Sequence, residues 1–232
     1  LTVPKSASVT AVRDIRNIEY FGQNLTPDDV TQIVAGRNIE FDIARSDLDI
    51  GKNGVKVGGP GSTLIMAGDS IDLGTSGGLR TVGNSENLQL PAGPHDLIVA
   101  AGVSDRAKLT SEWLDNFWSG DNGLHQAHVR YNEAIAAGNE SLGDQIIADA
   151  RAELIYQLIP DKSSVAGNIN LTNSRVYTRG STGTIFSVAA GEVNVGISTI
   201  QPAPITNEEF QTVENSGFFT TDGGNIKMLC VG

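Results

Sequence analysis

One short sequence pattern returns along this chain of 232 residues at intervals of similar length. Its template is apolar-x-Ala-(Gly)-x-x-Ile-x-apolar, and the first copy stops short of the final apolar residue. The first three copies are Val9–Ile15, Ile33–Phe41 and Ile65–Leu73. Their alanines lie 24 and 32 residues apart. A period of this size is typical of solenoids, in which one short structural unit stacks on the next.

Within each copy the apolar residues lie two apart on either side of the break. This is the spacing of a β-strand with one buried face, and no stretch between these copies shows the pattern of an amphipathic helix. We therefore predict that short strands stack coil upon coil, with Ala35 and Ala67 at a narrow position beside the turn. The side chains expected to point inward are Ile33, Ala35, Ile39, Phe41, Ile65, Ala67, Ile71 and Leu73.

The same pattern continues to about residue 104 and resumes near residue 161. Ala101 lies 34 residues after Ala67, and Gly224 lies 33 residues after Gly191. The later copies are Asp96–Gly102, Ala166–Leu171, Val188–Val195 and Asp222–Leu229. Because the period is kept, the sequence predicts an all-β fold, a parallel β-solenoid, on both sides of the interruption.

The interruption has helical spacing instead. The segment Thr110-Ser111-Glu112 is the predicted cap of a first helix, and two further helices are predicted over 124–137 and 141–159. The face that we expect the last helix to bury comprises Leu142, Ile146, Ile147, Ala150, Leu154, Ile155 and Leu158. The predicted organisation is solenoid coils over 1–104, a small helical insertion over 105–160, and resumed coils over 161–232.

The charge balance limits the partners of the chain. The chain contains 16 Lys and Arg residues and 27 Asp and Glu residues, which gives a net charge of −11 and a pI near 4.6. A surface of this sign repels phosphate backbones and anionic lipid, so we expect no nucleic acid partner and no membrane insertion. No apolar run approaches the roughly 20 residues of a membrane span, and the N-terminus lacks a signal-peptide pattern. An export signal would therefore have to lie outside these residues.

Cysteine usage is open to two interpretations, and the C-terminus indicates a segment of a longer chain. Cys230 is the single cysteine, so an internal disulfide is impossible. Scarce cysteine fits a cytosolic protein, and it also fits a large exoprotein that threads unfolded through a membrane pore. The chain ends within a repeat, with Leu229 and Val231 still apolar, and terminal repeats of solenoids need a polar outer face. We expect the natural chain to continue.

Several copies of the pattern share characteristic short phrases. They are Ala35–Ile39, Ala67–Ile71, Arg80–Asn84 followed by Leu88–Gly93, and Val176–Thr178 paired with Ala190–Gly196. In these phrases the chain resembles, over nearly its whole length, the C-terminal repeat region of large filamentous-haemagglutinin-like proteins. The resemblance implies a right-handed parallel β-helix on the outer surface of Gram-negative bacteria, exported by two-partner secretion through an outer-membrane transporter. It also implies a role in adhesion or aggregation, with no catalytic motif to carry over.

Two groups of residues are candidates for metal binding or catalysis, and neither leads us to assign a catalytic, cofactor-binding or metal-binding residue. His125 and His128 lie three apart on a predicted helix after Asp121, but two ligands without a third favour a solvated helix face. Acid–base cleavage of a glycoside needs two carboxyls about 5 to 10 Å apart. The aspartates that might supply them are Asp42, Asp47, Asp49, Asp69 and Asp72. Most sit at expected corners, where Asp is an ordinary turn residue.

Asparagines recur at the expected corners of the coils. A side-chain amide there can satisfy backbone groups of the next coil, so a structural ladder is favoured over ligand contact. The asparagines in question are Asn84, Asn168, Asn194 and Asn225.

The richest aromatic cluster is the candidate partner contact. Trp113, Phe117 and Trp118 lie together in the insertion of a chain with few aromatic residues. Large rings near a loop supply contact area at little entropic cost. Alternatively, Trp113 and Phe117 pack the insertion in place and leave only Trp118 exposed, and this second reading is favoured.

The sequence thus predicts the shaft and display segment of a secreted surface adhesin. Its expected partner is a protein or glycan on a host cell or a neighbouring cell. The alternative from another class is a β-helical carbohydrate-active enzyme, either a polysaccharide lyase or hydrolase or a tailspike-like depolymerase. Convergence of two carboxylates from adjacent coils in a groove lined with Trp or Tyr would favour that alternative.

Overall fold

A computed structural model describes most of the chain and divides it into two compact units. The described residues are 1–43, 53–103, 105–150, 152–153, 156–159, 167–195 and 217–231. Leu1–Gly102 together with Val165–Gly232 form one unit, which we call the β unit. Val103–Ser164 form the other, which we call the helical unit.

The β unit consists of three sheets in which all recorded strand pairs are parallel. Sheet 1 contains β1 (Thr2–Val3), β4 (Glu19–Gln23), β7 (Gly54–Gly58), β10 (Leu79–Gly83), β13 (Arg175–Thr178) and β16 (Gly217–Thr220). Sheet 2 contains β2 (Ser8–Ala11), β5 (Val30–Ala35), β8 (Gly61–Ala67), β11 (His95–Ala101), β14 (Ile185–Ala189) and β17 (Ile226–Cys230). Sheet 3 contains β3 (Ile15–Arg16), β6 (Ile39–Glu40), β9 (Ile71–Asp72), β12 (Ile169–Asn170) and β15 (Val193–Asn194). Over the described strands the chain visits sheets 1, 2 and 3 in turn.

The core of the β unit consists of equivalent residues from successive strands. All eight side chains predicted to point inward are buried, which confirms that prediction. The alanine of the template forms a row across sheet 2 that consists of Ala11, Ala35, Ala67, Ala101, Ala189 and finally Cys230. The isoleucine of the template forms a row across sheet 3 that consists of Ile15, Ile39, Ile71, Ile169 and finally Val193. The sequence repeat is therefore the repeat of the packing.

The glycine that follows the alanine has a steric cause. A Cβ atom on Gly68 would collide with the carbonyl oxygen of Gly36, and a Cβ atom on Gly36 would collide with that of Val12. Successive turns approach each other backbone to backbone at this point. A side chain there would push the coils apart.

The middle strands of sheet 2 depart from the alternating burial expected of a strand with one buried face. The inward positions Ile65 and Val99 are buried, but so are the intervening Leu64, Ile98 and Phe186, which are at most 2% exposed. Apolar residues occupy both sets of positions in β8, β11 and β14. Strands buried on both faces read as nearly continuous apolar runs, and these three strands have that character.

The helical unit contains short helices throughout its described part. They are a 3-10 helix at Arg106–Lys108, α1 at Ser111–Ser119, α2 at Leu124–Ala136, α3 at Glu140–Ala150 and α4 at Tyr156–Leu158. The predicted cap is confirmed, since the Thr110 side chain accepts a hydrogen bond from the Trp113 amide at 3.2 Å. The second helix lies within one residue of its predicted bounds.

The third predicted helix is wrong in part of its buried face. Its described residues up to Leu158 are helical: α3 covers Glu140–Ala150, residues 152–153 have π-helical geometry, and α4 covers Tyr156–Leu158. Leu142 is exposed, whereas Gly143 is buried. A Cβ atom on Gly143 would lie 2.9 Å from the Ile135 side chain and 3.2 Å from the Tyr131 side chain, both on α2. A glycine permits this close approach of α3 to α2. Of the other predicted residues, Leu158 is buried, Ile146, Ile147 and Ala150 are half-buried, and Leu154 and Ile155 lie outside the described residues.

The helical unit interrupts the chain but not the pairing of the sheets. The last strand of each sheet before residue 103 pairs directly with the first described strand of that sheet after residue 164. The pairs are Thr81 with Thr178 in sheet 1, Ala101 with Ala189 in sheet 2, and Ile71 with Ile169 in sheet 3. The register of the β unit therefore continues across the insertion.

Candidate functional site

The aromatic cluster predicted as a partner contact lies on α1. The Trp113 and Phe117 rings stack with centroids 5.1 Å apart, and the Trp118 ring meets Phe117 edge to face at 5.0 Å. Their spacing of one helical turn brings the first two rings together. Phe117 is only 3% exposed, while both tryptophans are half-buried. Any contact made by this cluster would therefore fall on Trp113 and Trp118, with Phe117 as their support.

The histidines of α2 lie on an exposed surface. Both His125 and His128 are exposed, as is Asp121, and the His128 ring stacks on Tyr131 with centroids 6.3 Å apart. Within the described ranges, no three His, Cys, Asp or Glu side chains are grouped so that they could hold a metal ion.

Of the described aspartates of the predicted carboxylate set, Asp42 and Asp69 lie between strands, and Asp72 is the last residue of β9. Asp42 exchanges two hydrogen bonds with Asn17, one from the Asn17 side-chain amide at 2.7 Å and one from its own backbone amide at 2.9 Å. Asp72 accepts from the amide of Gly74 at 2.9 Å, and Asp69 is half-buried at the turn before β9. Asp47 and Asp49 lie outside the described residues. Asp42 and Asp72 thus hold turns, as the corner positions suggested.

A ladder of side-chain oxygens runs along the corner that precedes sheet 3. Each hydrogen bond runs from a backbone amide to a side-chain oxygen of the preceding member. The backbone amide of Asn38 donates to Asp14 at 3.2 Å, that of Ser70 to Asn38 at 3.1 Å, and that of Asn168 to Ser70 at 3.1 Å. The Glu192 amide then donates to Asn168 at 2.8 Å. Each of these residues directly precedes the first residue of a sheet 3 strand. We call this series the corner ladder.

The prediction of an asparagine ladder is confirmed for Asn168. Asn84 and Asn225 lie at other positions of the repeat, and their backbone carbonyls accept hydrogen bonds from the amides of Asn87 and Ile185 respectively. The backbone carbonyl of Asn194 accepts a hydrogen bond from the amide of Leu171. Sequence reasoning missed Asp14 and Ser70 because it searched for asparagine alone, and it did not include Asn38. The available signal was a shared place in the template, directly before the isoleucine.

An ion pair accompanies the first step of the corner ladder. Arg37 lies 2.5 Å from Asp14, and its guanidinium donates twice to that carboxylate. The Arg37 hydrogen bond lowers the pKa of Asp14 below its ordinary value, and the backbone amide of Asn38 acts in the same direction. The charged form of Asp14 is therefore the form that the fold stabilises.

A buried histidine is the main titratable group inside the described β unit. The His95 Nδ1 atom lies 2.6 Å from the Gly59 carbonyl, which can only accept, so Nδ1 carries the proton. Its Nε2 atom is then an acceptor for the Thr63 hydroxyl at 2.8 Å. Desolvation by burial lowers the pKa of His95 to about 4, although its bond to Gly59 opposes the shift. His95 is therefore neutral at physiological pH, and its hydrogen bonds join β11 to β8 and to the residues just before β8.

A row of aromatic and basic side chains lies on the outer face of sheet 1. Its members are paired in register on five consecutive strands, while their inward neighbours, among them Tyr20 and Val55, belong to the core. All five are half-buried. In spatial order the row consists of Phe21, Lys56, Arg80, Tyr177 and Phe219. We call it the sheet 1 outer row; sequence reasoning missed it because its members lie up to 97 residues from their neighbours.

Lys56 has both a polar and an aromatic partner, whereas Arg80 has no ion-pair partner among the described residues. The Lys56 ammonium lies 5.1 Å from the centre of the Phe21 ring and also forms an ion pair with Glu86. The Arg175 guanidinium lies 6.0 Å from the Tyr177 ring, so a third cation borders the row. Among the described residues, no carboxylate lies within ion-pair distance of Arg80.

A groove of about 350 Å³ lies beside the Phe21 end of the row. Val3, Phe21 and Leu90 contribute apolar walls, and Lys56 and Glu86 contribute charge. All of its lining residues belong to the β unit.

Comparisons with known proteins identify no relative of this chain. No protein family model, no curated protein and no solved structure matches the chain significantly. None of the described helices combines the length and apolar character needed to span a membrane.

Proposed function

We propose that this chain is a right-handed parallel β-helix that serves as the shaft and display segment of a large secreted bacterial surface adhesin. The observation that carries the proposal is the unbroken register of all three sheets across the helical unit. Connections between parallel strands of one sheet are right-handed in about 98% of cases, which supports the proposed hand.

The stacked rows support the role of a shaft. Alanine, isoleucine and corner-ladder residues repeat from coil to coil, so each coil contacts mainly its neighbours and the stability of the whole is close to a sum of coils and interfaces. Such a structure extends by adding coils. It presents surface at a distance without needing an active site.

The helical unit supports the role of display. It comprises Val103–Ser164, between the two parts of the sequence that form the β unit, and the two half-buried tryptophans of α1 supply aromatic contact area. In this proposal the segment is exported through an outer-membrane transporter, as the resemblance to filamentous-haemagglutinin-like proteins implies. It then meets a protein or glycan on a host or neighbouring cell. The carbohydrate-active enzyme stays an alternative prediction.

Attachment of coated beads tests the proposal. Latex beads carrying the purified chain would be mixed with cultured epithelial cells and with each other, and attachment and clumping would be scored against albumin-coated beads. We expect attachment or clumping above the albumin level, and a loss of it in Trp118→Ala. Asn116→Ala, an exposed change on the same helix, is the matched control.

Circular dichroism and thermal unfolding of each variant would establish that the fold is retained. Coated beads that attach no better than albumin beads would contradict the adhesive role. Full attachment by a folded Trp118→Ala variant would contradict the placement of contact on α1.

A further inference from the structure

We propose that the sheet 1 outer row binds a linear polysaccharide whose sugars carry carboxylates, with Lys56 and Arg80 pairing the carboxylates. The inference rests on the proposed function for its setting outside the cell. It deepens that function by naming the chemical class of the partner and a second contact surface, on the β unit.

The charge of the row is opposite to that of the chain. The net charge is −11, yet two neighbouring positions of the row are cations and Arg175 borders it. Among the described residues Arg80 has no ion-pair partner, so its guanidinium can pair a ligand carboxylate without first giving up another. Paired planar donors make arginine a strong binder of carboxylates.

The spacing of the row suits a polymer that runs across the strands. Neighbouring parallel strands lie about 4.8 Å apart, so Lys56 and Arg80 recur at that interval. This interval is close to the length of one sugar in an extended chain. Consecutive carboxylated sugars can therefore meet consecutive cations.

The groove and the rings supply what a sugar needs besides charge. A pyranose ring has an apolar face and a polar edge, and the groove combines the apolar Val3, Phe21 and Leu90 with the charged Lys56 and Glu86. Its volume of about 350 Å³ lies at the lower end of the range for small-ligand clefts. Tyr177 and Phe219 continue the aromatic surface at the other end of the row.

A polysaccharide fits this surface better than a nucleic acid, which also combines negative charge with ring faces. Nucleic acid binders typically neutralise a run of phosphates, about 6 to 10 in a strong case. Here the cations are few, Glu86 stands next to Lys56, and the rest of the chain is acidic. A carboxylated glycan carries its charges on substituents of its sugars, at most one per sugar, whereas the phosphates of a nucleic acid are part of its backbone.

The test uses the purified 232-residue chain with oligogalacturonate as the probe. Binding would be measured by biolayer interferometry at low and at physiological salt, with neutral dextran and poly-dT as comparison ligands. We expect oligogalacturonate to bind, to weaken as salt rises, and to bind more tightly than either comparison ligand.

Three variants locate the site. Arg80→Gln should weaken oligogalacturonate binding about tenfold, the equivalent of one charge-assisted hydrogen bond, and Arg80→Lys should recover part of the loss. Arg13→Gln, an exposed arginine of the corner before sheet 3, makes the same change of charge elsewhere and should leave affinity within about twofold.

Several results would overturn the inference. They are dextran or poly-dT binding as tightly as oligogalacturonate, equal losses in Arg80→Gln and Arg13→Gln, or no binding of oligogalacturonate at low salt. None of them bears on bead attachment through α1. Failure of this site and failure of the adhesive role are therefore separable.

Discussion

The side-chain oxygen of Asn38 accepts a hydrogen bond from the backbone amide of Ser70, 3.1 Å away and 32 residues later in the chain. Ser70 repeats the arrangement toward Asn168. In both cases a side chain before one strand of sheet 3 satisfies a backbone donor before the next strand of that sheet. An unsatisfied backbone amide costs free energy, so these side chains help fix the register of neighbouring strands.

Ser70→Ala removes one step of the corner ladder. The Asn168 amide loses its acceptor, and we expect the free energy of unfolding to fall by about 0.5–1.5 kcal/mol. Ser70→Thr keeps the hydroxyl and should lose less. Urea denaturation of both variants measures the difference, and equal losses would show that the ladder does not depend on the hydroxyl.

Ala67→Leu tests the narrow row of sheet 2. Ala67 is fully buried between Ala35 and Ala101, so the larger side chain should overpack the row and lower the unfolding free energy by about 1–3 kcal/mol. Thr10→Leu, which places the same side chain at an exposed outward position of sheet 2, is the comparison. Denaturation of both variants measures the difference. An unfolding midpoint of Ala67→Leu equal to that of Thr10→Leu would show that the alanine row accommodates a larger side chain.

His95 makes stability depend on pH between about 6.5 and 4. The folded state holds the pKa of His95 at about 4, below the ordinary value of 6.5, so only the unfolded chain takes up this proton as pH falls through that window. The contribution of neutral His95 to the free energy of unfolding is therefore complete above about pH 6.5. About 3 kcal/mol of this contribution is lost by pH 4.

NMR titration of the imidazole nitrogens measures this directly. We expect His95 to keep the neutral Nδ1-protonated form at pH 5.5. A midpoint near 6.5 for His95 would contradict the burial of a neutral ring. Carboxylates titrate in the same range, so the loss of stability would be compared with that of His95→Gln.

The sequence pattern anticipated the parts of the fold that repeat locally. Ala35 and Ile39 lie within a few residues of each other, and their spacing alone predicts which side chains are buried. The pairing of Arg80 with Tyr177 is set by coil lengths and by the insertion between them, and no local spacing encodes it. The buried Gly143 escaped prediction for a related reason. Its role depends on how closely α3 approaches α2, whereas periodicity reports only apolar side chains.

The most direct test of the stacked β-helix is a cross-link across the insertion. Arg80 and Tyr177 are paired in register, and about 4.8 Å between neighbouring strands lies within the 4.4–6.8 Å that a disulfide spans. The Arg80→Cys/Tyr177→Cys double variant would be made in a Cys230→Ser background, oxidised mildly at low concentration, and read by non-reducing electrophoresis and intact mass. Arg80→Cys/Arg13→Cys, which joins sheet 1 to the corner before sheet 3, is the control pair. We predict nearly complete intramolecular cross-linking of the first pair and little of the control; equal yields from the two pairs would contradict a β-helix that continues in register across the helical unit.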